Sequence, residues 1–309
     1  MLVSTDFVVG AYENWRAIFQ ESFDKKDTQW EQICTLMDSQ TLIENYSWLG
    51  ATPTVKEWFD ERQYDNIAAY NFTVTNRDWE STITVDRNIY DDNRLGQVKP
   101  RVQELGFAVR QHQDQLVFHD TLVNGHTTLC FDGQNYFDAS HPIGQTGNTQ
   151  ANYGVLPLDG VNFDTTFAAM EAFQNDQGRP MGILPSLLVV GPKLRGTARA
   201  LLNSEYYPQA GFTGVGGTGA SQMTANPWKG AADLLVSPYI TSSSWFLMDV
   251  SRPIKPIIFQ MRKPPEFVAR DNPVTAEALF LYKKLMFGAD MRYNTAFAIP
   301  QLAYMNYVA

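Results

Sequence analysis

The stretch that decides the fold runs from Tyr70 to Asp86, with the sequence YNFTVTNRDWESTITVD. Within it, residues 70–74 and 79–85 form two runs in which large apolar residues fall on alternate positions, with Ser81 as the one polar exception. This alternation is typical of β-strands with one apolar face. The alternating large apolar residues are Tyr70, Phe72, Val74, Trp79, Ile83 and Val85. Asn76-Arg77-Asp78 supplies turn-prone residues between the two runs, so the pattern predicts an antiparallel hairpin. An isolated hairpin is marginal in water, and nothing nearby in sequence covers its apolar face.

A long helix follows this predicted hairpin. Asp91-Asp92-Asn93 offers capping chemistry, and Val98, Val102, Leu105 and Val109 recur at helical spacing. Later apolar residues extend the pattern towards Gly125. The hairpin and the helix together indicate an α+β protein.

Helical spacing also marks the N-terminal part of the chain. Residues 7–23 predict an amphipathic helix, and a second helix is expected after Asp27, where Trp30 and Cys34 fall on one stripe with Ile33 and Met37. A capping-box spacing from Thr54 to Glu57 predicts a further short helix.

The rest of the chain alternates short elements with polar connections. We expect a domain boundary in the polar loop 144–152, a helix over 163–173 and a buried strand at 187–190. Pro192 opens another helix. A long Gly-, Thr- and Ser-rich loop over 208–230 precedes short strands at 234–236, 245–250 and 254–261, and 276–287 is compatible with either helix or strand.

Composition excludes several classes of function. The net charge of −9 argues against binding by phosphate neutralisation, and the densest basic stretch, Arg252 to Lys263, is diluted by prolines, so we expect low non-specific DNA affinity. Two cysteines, Cys34 and Cys130, are too few for a disulfide framework or a paired zinc motif. The N-terminus resembles no signal peptide, and the longest apolar stretch, 181–190, is far too short to span a bilayer.

Candidate chemistry is sparse. A G-x-G-x-x-G pattern at 214–219 has neither a preceding strand nor a phosphate-loop lysine, so its context argues against nucleotide binding. His119, His126 and His141 have no metal-ligand spacing, and the sequence around His141 favours a turn held by side-chain hydrogen bonds. No serine or cysteine has an activating motif. The sequence predicts no catalytic residue, no metal site and no cofactor.

Six blocks in order give the chain a family resemblance. They are Trp58-Phe59-Asp60-Glu61-Arg62, Trp79-Glu80-Ser81-Thr82-Ile83, Asp91-Asp92-Asn93-Arg94-Leu95-Gly96, Phe131-Asp132-Gly133 with Tyr136-Phe137 and His141, Asn226-Pro227-Trp228-Lys229-Gly230, and Trp245-Phe246-Leu247-Met248-Asp249 leading to Lys255-Pro256-Ile257 and Gln260. In this order the sequence resembles the major head subunits of Mu-like tailed phages and prophages, the gpT-type capsid proteins. Each block is weak alone, and the series of six is much more specific.

The resemblance implies the Hong Kong 97 capsid fold. It implies an N-terminal arm with helices over 1–70, an extended hairpin loop over 71–92, a peripheral domain with a spine helix over 93–154 and 251–309, and an axial domain over 155–250. Phe72, Val74, Trp79, Ile83 and Val85 would then be covered by a neighbouring subunit. The glycine-rich segment 211–221 would lie in or beside the axial domain.

The same resemblance implies a structural role without catalysis or cofactor. The chain would form hexamers and pentamers of an icosahedral virion shell, made in the cytoplasm of a bacterial host, that encloses DNA without binding it specifically. Implied partners are a scaffolding protein, a maturation protease, a portal and, optionally, a decoration protein, with no membrane. Alternatives are an encapsulin-type nanocompartment shell of the same fold, a tail or baseplate component, and a metal-dependent hydrolase using His119, His126 and His141.

Overall fold

The part of the chain that the computed structural model describes contains two large β-sheets, three two-stranded sheets and four α-helices. These described residues are 5–47, 49, 72–86, 88–89, 95–144, 147–208, 223–270, 281 and 283–308. The α-helices are α1 (Thr5–Lys25), α2 (Lys99–Gln115), α3 (Gly160–Glu171) and α4 (Arg195–Asn203). The strands are β1 (Cys34–Asp38), β2 (Ile43–Asn45), β3 (Thr73–Thr75), β4 (Arg77–Asp86), β5 (His141–Pro142), β6 (Thr149–Gln150), β7 (Tyr153–Gly154), β8 (Leu187–Val190), β9 (Tyr206–Pro208), β10 (Met223–Ala225), β11 (Asp233–Val236), β12 (Trp245–Met248), β13 (Ile257–Arg270), β14 (Lys284–Phe297) and β15 (Ala303–Asn306).

One sheet is unusually long. Its strand order is β1-β13-β14-β4, with β1 parallel to β13 and the other two pairs antiparallel. β13 and β14 have 14 residues each, which corresponds to about 46 Å at the usual rise per residue. We call this the long sheet.

Helices α1 and α2 cover one face of the long sheet. Phe267 of β13 packs against Tyr12 and Phe19 of α1, with ring centroids 5.7 and 5.3 Å apart. On α2, residues spaced three or four apart, such as Val102, Leu105 and Val109, are buried in the same core. Helical periodicity therefore places one apolar stripe of α2 on a sheet face whose own residues alternate at period two.

The predicted long helix is confirmed and runs further than α2 itself. The chain continues from α2 through a π-helical stretch, Leu116–Leu122, into a 3-10 turn, Val123–His126. The extension towards Gly125 is therefore also confirmed. The proposed capping residues 91–93 lie outside the described residues.

The second sheet has five strands in the order β11-β8-β12-β15-β7. Helices α3 and α4 pack on one of its faces, and the predicted helix over 163–173 and the buried strand at 187–190 are confirmed as α3 and β8. The opposite face belongs to the same core as the long sheet. Two of its strands, β7 and β15, lie outside residues 155–250, the range expected for the axial domain. They belong to this sheet because β15 pairs with β12 and β7 pairs with β15.

The predicted hairpin at 76–78 is wrong. β3 and β4 do not pair with each other: β3 pairs antiparallel with β2, and β4 pairs antiparallel with β14. Asn76 between them is 4% exposed, so it is not the tip of a turn. Its side-chain amide donates to Ser39 Oγ and to the Thr41 carbonyl. These hydrogen bonds fix the single residue that separates β3 from β4.

The predicted helix after Asp27 is also wrong. The structure has a short 3-10 turn, Trp30–Gln32, followed by strand β1. Pairing with β13 makes this segment a strand in spite of its helical spacing. Cys34 faces the core at 4% exposure while Leu36, two residues on at the sheet edge, is 52% exposed. The capping box at 54–57 and the glycine-rich pattern at 214–219 lie outside the described residues.

A pair of glycines tests the crossing of α1 and α2. A Cβ on Gly106 would lie 2.7 Å from the Phe19 carbonyl oxygen, whereas a Cβ on Gly196 would have no atom within 4 Å. We expect Gly106→Ala to lower the free energy of unfolding by roughly 1–3 kcal/mol through overpacking. Gly196→Ala should leave it unchanged or raise it by up to about 1 kcal/mol. Thermal melts of both variants check this, and an equal shift in both would contradict the close helix crossing.

Candidate subunit-contact surfaces

The five residues expected at a subunit interface do not form one uncovered face. Val85 and Val74 are 1% and 5% exposed, each within a hydrophobic cluster of the chain itself. Phe72, Trp79 and Ile83 are half-buried and pack on the same clusters. The premise that nothing in the chain covers this face is therefore wrong for Val74 and Val85, because strands and helices distant in sequence cover them.

Trp79 is held by its own chain on two sides. Its Nε1 donates to the Tyr293 carbonyl oxygen at 3.0 Å, and its ring lies 4.4 Å from the ring of His112 on α2. His112 Nδ1 is in turn 2.8 Å from the Tyr293 hydroxyl. Burial lowers the pKa of His112, against a smaller opposing effect of Asp120, so the neutral ring is favoured. This contact ties β4 to α2 and to the centre of the long sheet.

The opposite face of the long sheet is covered at one end by the segment around β2 and β3. Tyr46, Leu49 and Val74 form a small core there with Ile258 and Ala296. The ladder between β2 and β3 extends to a hydrogen bond from Tyr46 N to the Phe72 carbonyl at 2.8 Å. The backbone at Tyr46 therefore lies side by side with the backbone at Phe72. We call residues 39–46 and 72–76 the arm base.

A buried glutamine fastens the arm base to the sheet. Gln260 is 0% exposed, and its Nε2 donates to Asn76 Oδ1 at 2.8 Å and to the Val74 carbonyl at 3.3 Å. Its Oε1 accepts from the Tyr46 hydroxyl at 2.8 Å, and burial raises the pKa of Tyr46 to about 12. Because all of these polar atoms have partners, the network fixes the direction of the arm base.

Glu44 closes the turn that enters the arm base. Its Oε1 accepts from Ser39 Oγ, Gln40 N and Thr41 N at 2.8 to 2.9 Å. Hydrogen bonds from the backbone of Thr41 and Gln40 hold the pKa of Glu44 at about 2. The carboxylate therefore serves as the acceptor at the centre of the turn Ser39–Glu44.

Sequence reasoning missed the residues of this network. A glutamine inside the apolar strand Ile257 to Met261 was a signal that could have found it, since a polar side chain at a buried strand position needs partners. The partners lie on segments roughly 200 residues away in sequence, and their identity was not available from local patterns.

Exposed apolar side chains lie on the arm base and on the neighbouring edge of the long sheet. Leu36 on the edge strand β1 is 52% exposed, and Leu42 and Ile43 are 54% and 51% exposed. Leu36 also borders a groove between α1, α2 and the irregular part of β13, which includes Phe23 and Pro264. Exposed apolar groups near a sheet edge are typical of surfaces that are covered by another chain.

The uncovered part of the same sheet face is acidic. Glu80, Asp290 and Glu266 lie opposite one another on three adjacent strands and are all exposed. Lys263 lies 3.0 Å from Glu266 and lowers the pKa of that carboxyl through a hydrogen bond. Like charges in register destabilise a sheet slightly, and this arrangement keeps the face polar.

The three histidines considered as metal ligands have separate partners. His119 pairs with Asp120, His126 Nδ1 bonds to the Val123 carbonyl, and His141 Nδ1 lies 2.6 Å from Asp132 Oδ2 in the interior. Among the described residues, no three His, Cys, Asp or Glu side chains form a possible metal site.

The expected turn before His141 and the inert cysteines also have structural counterparts. Ser140 N and Oγ both donate to Asp138 Oδ1, which confirms the turn held by side-chain hydrogen bonds. Cys34 and Cys130 are buried, and burial raises the pKa of both thiols. In the described part of the chain, no helix has the length and apolarity needed to cross a membrane.

A family model for the Mu-like prophage major head subunit gpT matches residues 9–156, 155–240 and 241–308. The chain belongs to this Mu-like gpT major head subunit family. As a member it has the Hong Kong 97 fold and serves as a major capsid protein in the virion shell. This confirms the resemblance and favours a phage head over the nanocompartment, tail and hydrolase alternatives.

Two relatives and one solved structure illustrate the similarity. The major capsid protein of Escherichia phage Mu is 26% identical over 303 residues, covering 98% of this chain and 74% of the Mu protein. The Mu-like prophage FluMu major head subunit of Haemophilus influenzae is 25% identical over 302 residues, covering 98% and 73%. The procapsid of bacteriophage JBD30 matches with a TM-score of 0.60 and 25% identity, covering 99% of this chain and 76% of that chain.

Val85 distinguishes a core position from a contact position. We expect Val85→Ala to lower the free energy of unfolding by roughly 1–3 kcal/mol, because it opens a cavity beside Leu285 in the core. Thr84→Ala, on the exposed side of the same strand, is the matched control and should change stability by less than about 0.5 kcal/mol. Denaturant unfolding of unassembled subunits measures both. If the two variants had the same free energy of unfolding, Val85 would not be a core residue and would again be a candidate for the subunit interface.

Glu44 predicts a specific dependence of stability on pH. Its pKa is about 2 in the folded chain against an ordinary value of 4.5, so its contribution is fully present above about pH 4.5 and is lost as pH falls through 2. Glu44→Gln should therefore lower the melting temperature at neutral pH, and the gap to wild type should narrow between pH 4.5 and 2. A gap that stays constant over that range would show that the carboxylate charge is not involved.

Proposed function

We propose that the chain assembles, without catalysing any reaction, into hexamers and pentamers that close into an icosahedral head around DNA. The observation that carries this proposal is the arm base, whose two strands pair side by side and are fastened to the long sheet by buried hydrogen bonds. A fixed root of this kind suits a segment that reaches a neighbouring subunit, since flexibility at the root would weaken the contact.

We propose a new position for the extended loop, which the sequence analysis had placed in a hairpin at 71–92. We place the extended loop between Leu49 and Phe72, with β2 and β3 as its root, because these are the strands that pair antiparallel. β4 is then part of the peripheral domain built on the long sheet and α2, and the axial domain is the five-stranded sheet with α3 and α4. The pairing of β4 with β14 supports this division.

The proposed contact surface includes Leu36, Leu42 and Ile43, in place of the buried Val74 and Val85. Their exposure supports coverage by another copy, since a stable shell contact needs about 2,000 Å² or more of total buried area. Phe72, Trp79 and Ile83 remain candidates only through their exposed parts.

The absence of catalysis is supported by the state of the reactive side chains. The raised pKa values of Cys34 and Cys130 argue against a thiolate nucleophile. His119, His126 and His141 are each engaged separately. A scaffolding protein, a maturation protease, a portal and a decoration protein are proposed partners, on the strength of the family alone.

Shortening the arm tests the proposal. Replacing residues 50–71 with a short Gly- and Ser-rich linker shortens this segment and keeps Leu49 in the small core beneath the arm base. We expect a folded subunit, because the arm base and both sheets are retained, but no closed shells. Negative-stain microscopy measures shell formation, and a thermal melt close to that of wild type is the control for folding. Normal shells from the shortened chain would contradict the arm assignment.

A further inference from the structure

Helix α4 and the turn before it carry only basic charges in this acidic chain. Between Asp176 and Glu205 the sequence contains no carboxylate and four basic residues, of which Lys193, Arg195 and Arg199 lie within seven residues of one another. These three side chains are exposed on the turn before α4 and on α4 itself. We call them the basic face. The chain has a net charge of −9, but these three cations lie together on one surface.

The basic face is the outward side of an amphipathic helix. Ala198, Leu201 and Leu202 are buried against the five-stranded sheet. The remaining outward residues of α4 include the small, exposed Gly196, Thr197 and Ala200. Because the small residues leave the arginines as the longest side chains, a broad partner can approach the helix closely.

This arrangement costs helix stability. Arg195 and Arg199 are four residues apart, where like charges repel, and cations near a helix N-terminus oppose its dipole. Among the described residues, none of the three cations has a carboxylate within ion-pair distance, since nearby Glu205 pairs with Lys229 and Asp233 forms no ion pair. Within the described part of the chain no ion pair offsets the repulsion between these cations, so an external anion would relieve it.

We propose that the basic face lines the inside of the shell and contacts the phosphate backbone of the enclosed DNA, independently of sequence. This proposal rests on the proposed shell function. Four residues of helix separate Arg195 from Arg199 by about 6 Å along the axis, so both can contact phosphates of one strand. Duplex DNA offers such phosphates at every base pair, with no need for base readout.

The contact is weak for each subunit, in keeping with the low affinity expected from the composition. Three phosphate contacts give a slope of about −2.7 for log affinity against log salt, or roughly forty-fold weaker binding at 200 mM than at 50 mM salt. Many copies on a shell add such contacts without trapping DNA at any one point. An acidic protein segment is the competing partner, and it would have a discrete binding site.

Chemical labelling tests which side of the shell the basic face occupies. Thr197→Cys, or Ala200→Cys if the first variant folds poorly, places a thiol on the basic face, while buried Cys34 and Cys130 keep the background low. A bulky maleimide should label dissociated subunits but not intact, filled particles. Equal labelling of both would overturn the proposal. Failure of wild type to form any particle would instead contradict the shell function.

Binding measurements test the ligand. Using unassembled full-length subunits and a short random-sequence DNA duplex, we expect Arg195→Glu/Arg199→Glu to bind at least about tenfold more weakly than wild type near 50 mM salt. Lys99→Glu/Arg101→Glu, which makes the same charge change on exposed positions of α2, should stay within about twofold. Equal losses in both variants, or wild-type binding to a poly-glutamate peptide but not to the duplex, would overturn the proposal.

Discussion

The position of β14 at the centre of the long sheet is the constraint on which the rest of the structure depends. It pairs with β13 on one side and with β4 on the other, so two antiparallel ladders share one strand. Its core-facing residues, such as Phe287 and Tyr293, meet the helices, and its opposite face carries Ala296 beneath the arm base. One strand therefore determines where the helix layer and the arm base can lie.

Buried hydrogen bonds then fix the register of the arm base on the long sheet, which apolar packing alone does not determine. The small core beneath the arm base could tolerate some sliding, but the hydrogen bonds from Gln260 to Asn76 and from Tyr46 to Gln260 require one register. A buried amide with satisfied partners stabilises little in net terms, yet it strongly disfavours any arrangement that leaves it unpaired. This cost of leaving the amide unpaired holds the arm base in one orientation on the sheet.

Local patterns predicted elements well and their partners poorly. Alternation correctly identified strands around Val74 and Ile83, and helical spacing identified α2, because both signals are local. The turn at Asn76 was wrong because the asparagine uses its side chain for distant partners and not for a turn. The helix after Asp27 was wrong because spacings of three and four also fit a turn followed by a strand, and only pairing with β13 decides between them. The same limit hid Gln260 and the basic face from sequence reasoning.

A cryo-electron microscopy map of assembled particles at side-chain resolution tests the strand pairing of β4 and the position of the extended loop most directly. We expect β4 to pair with β14 of its own chain, and the segment between Leu49 and Phe72 to lie across a neighbouring subunit. A map in which 71–92 forms a hairpin on the neighbour, with β14 unpaired on that side, would contradict it.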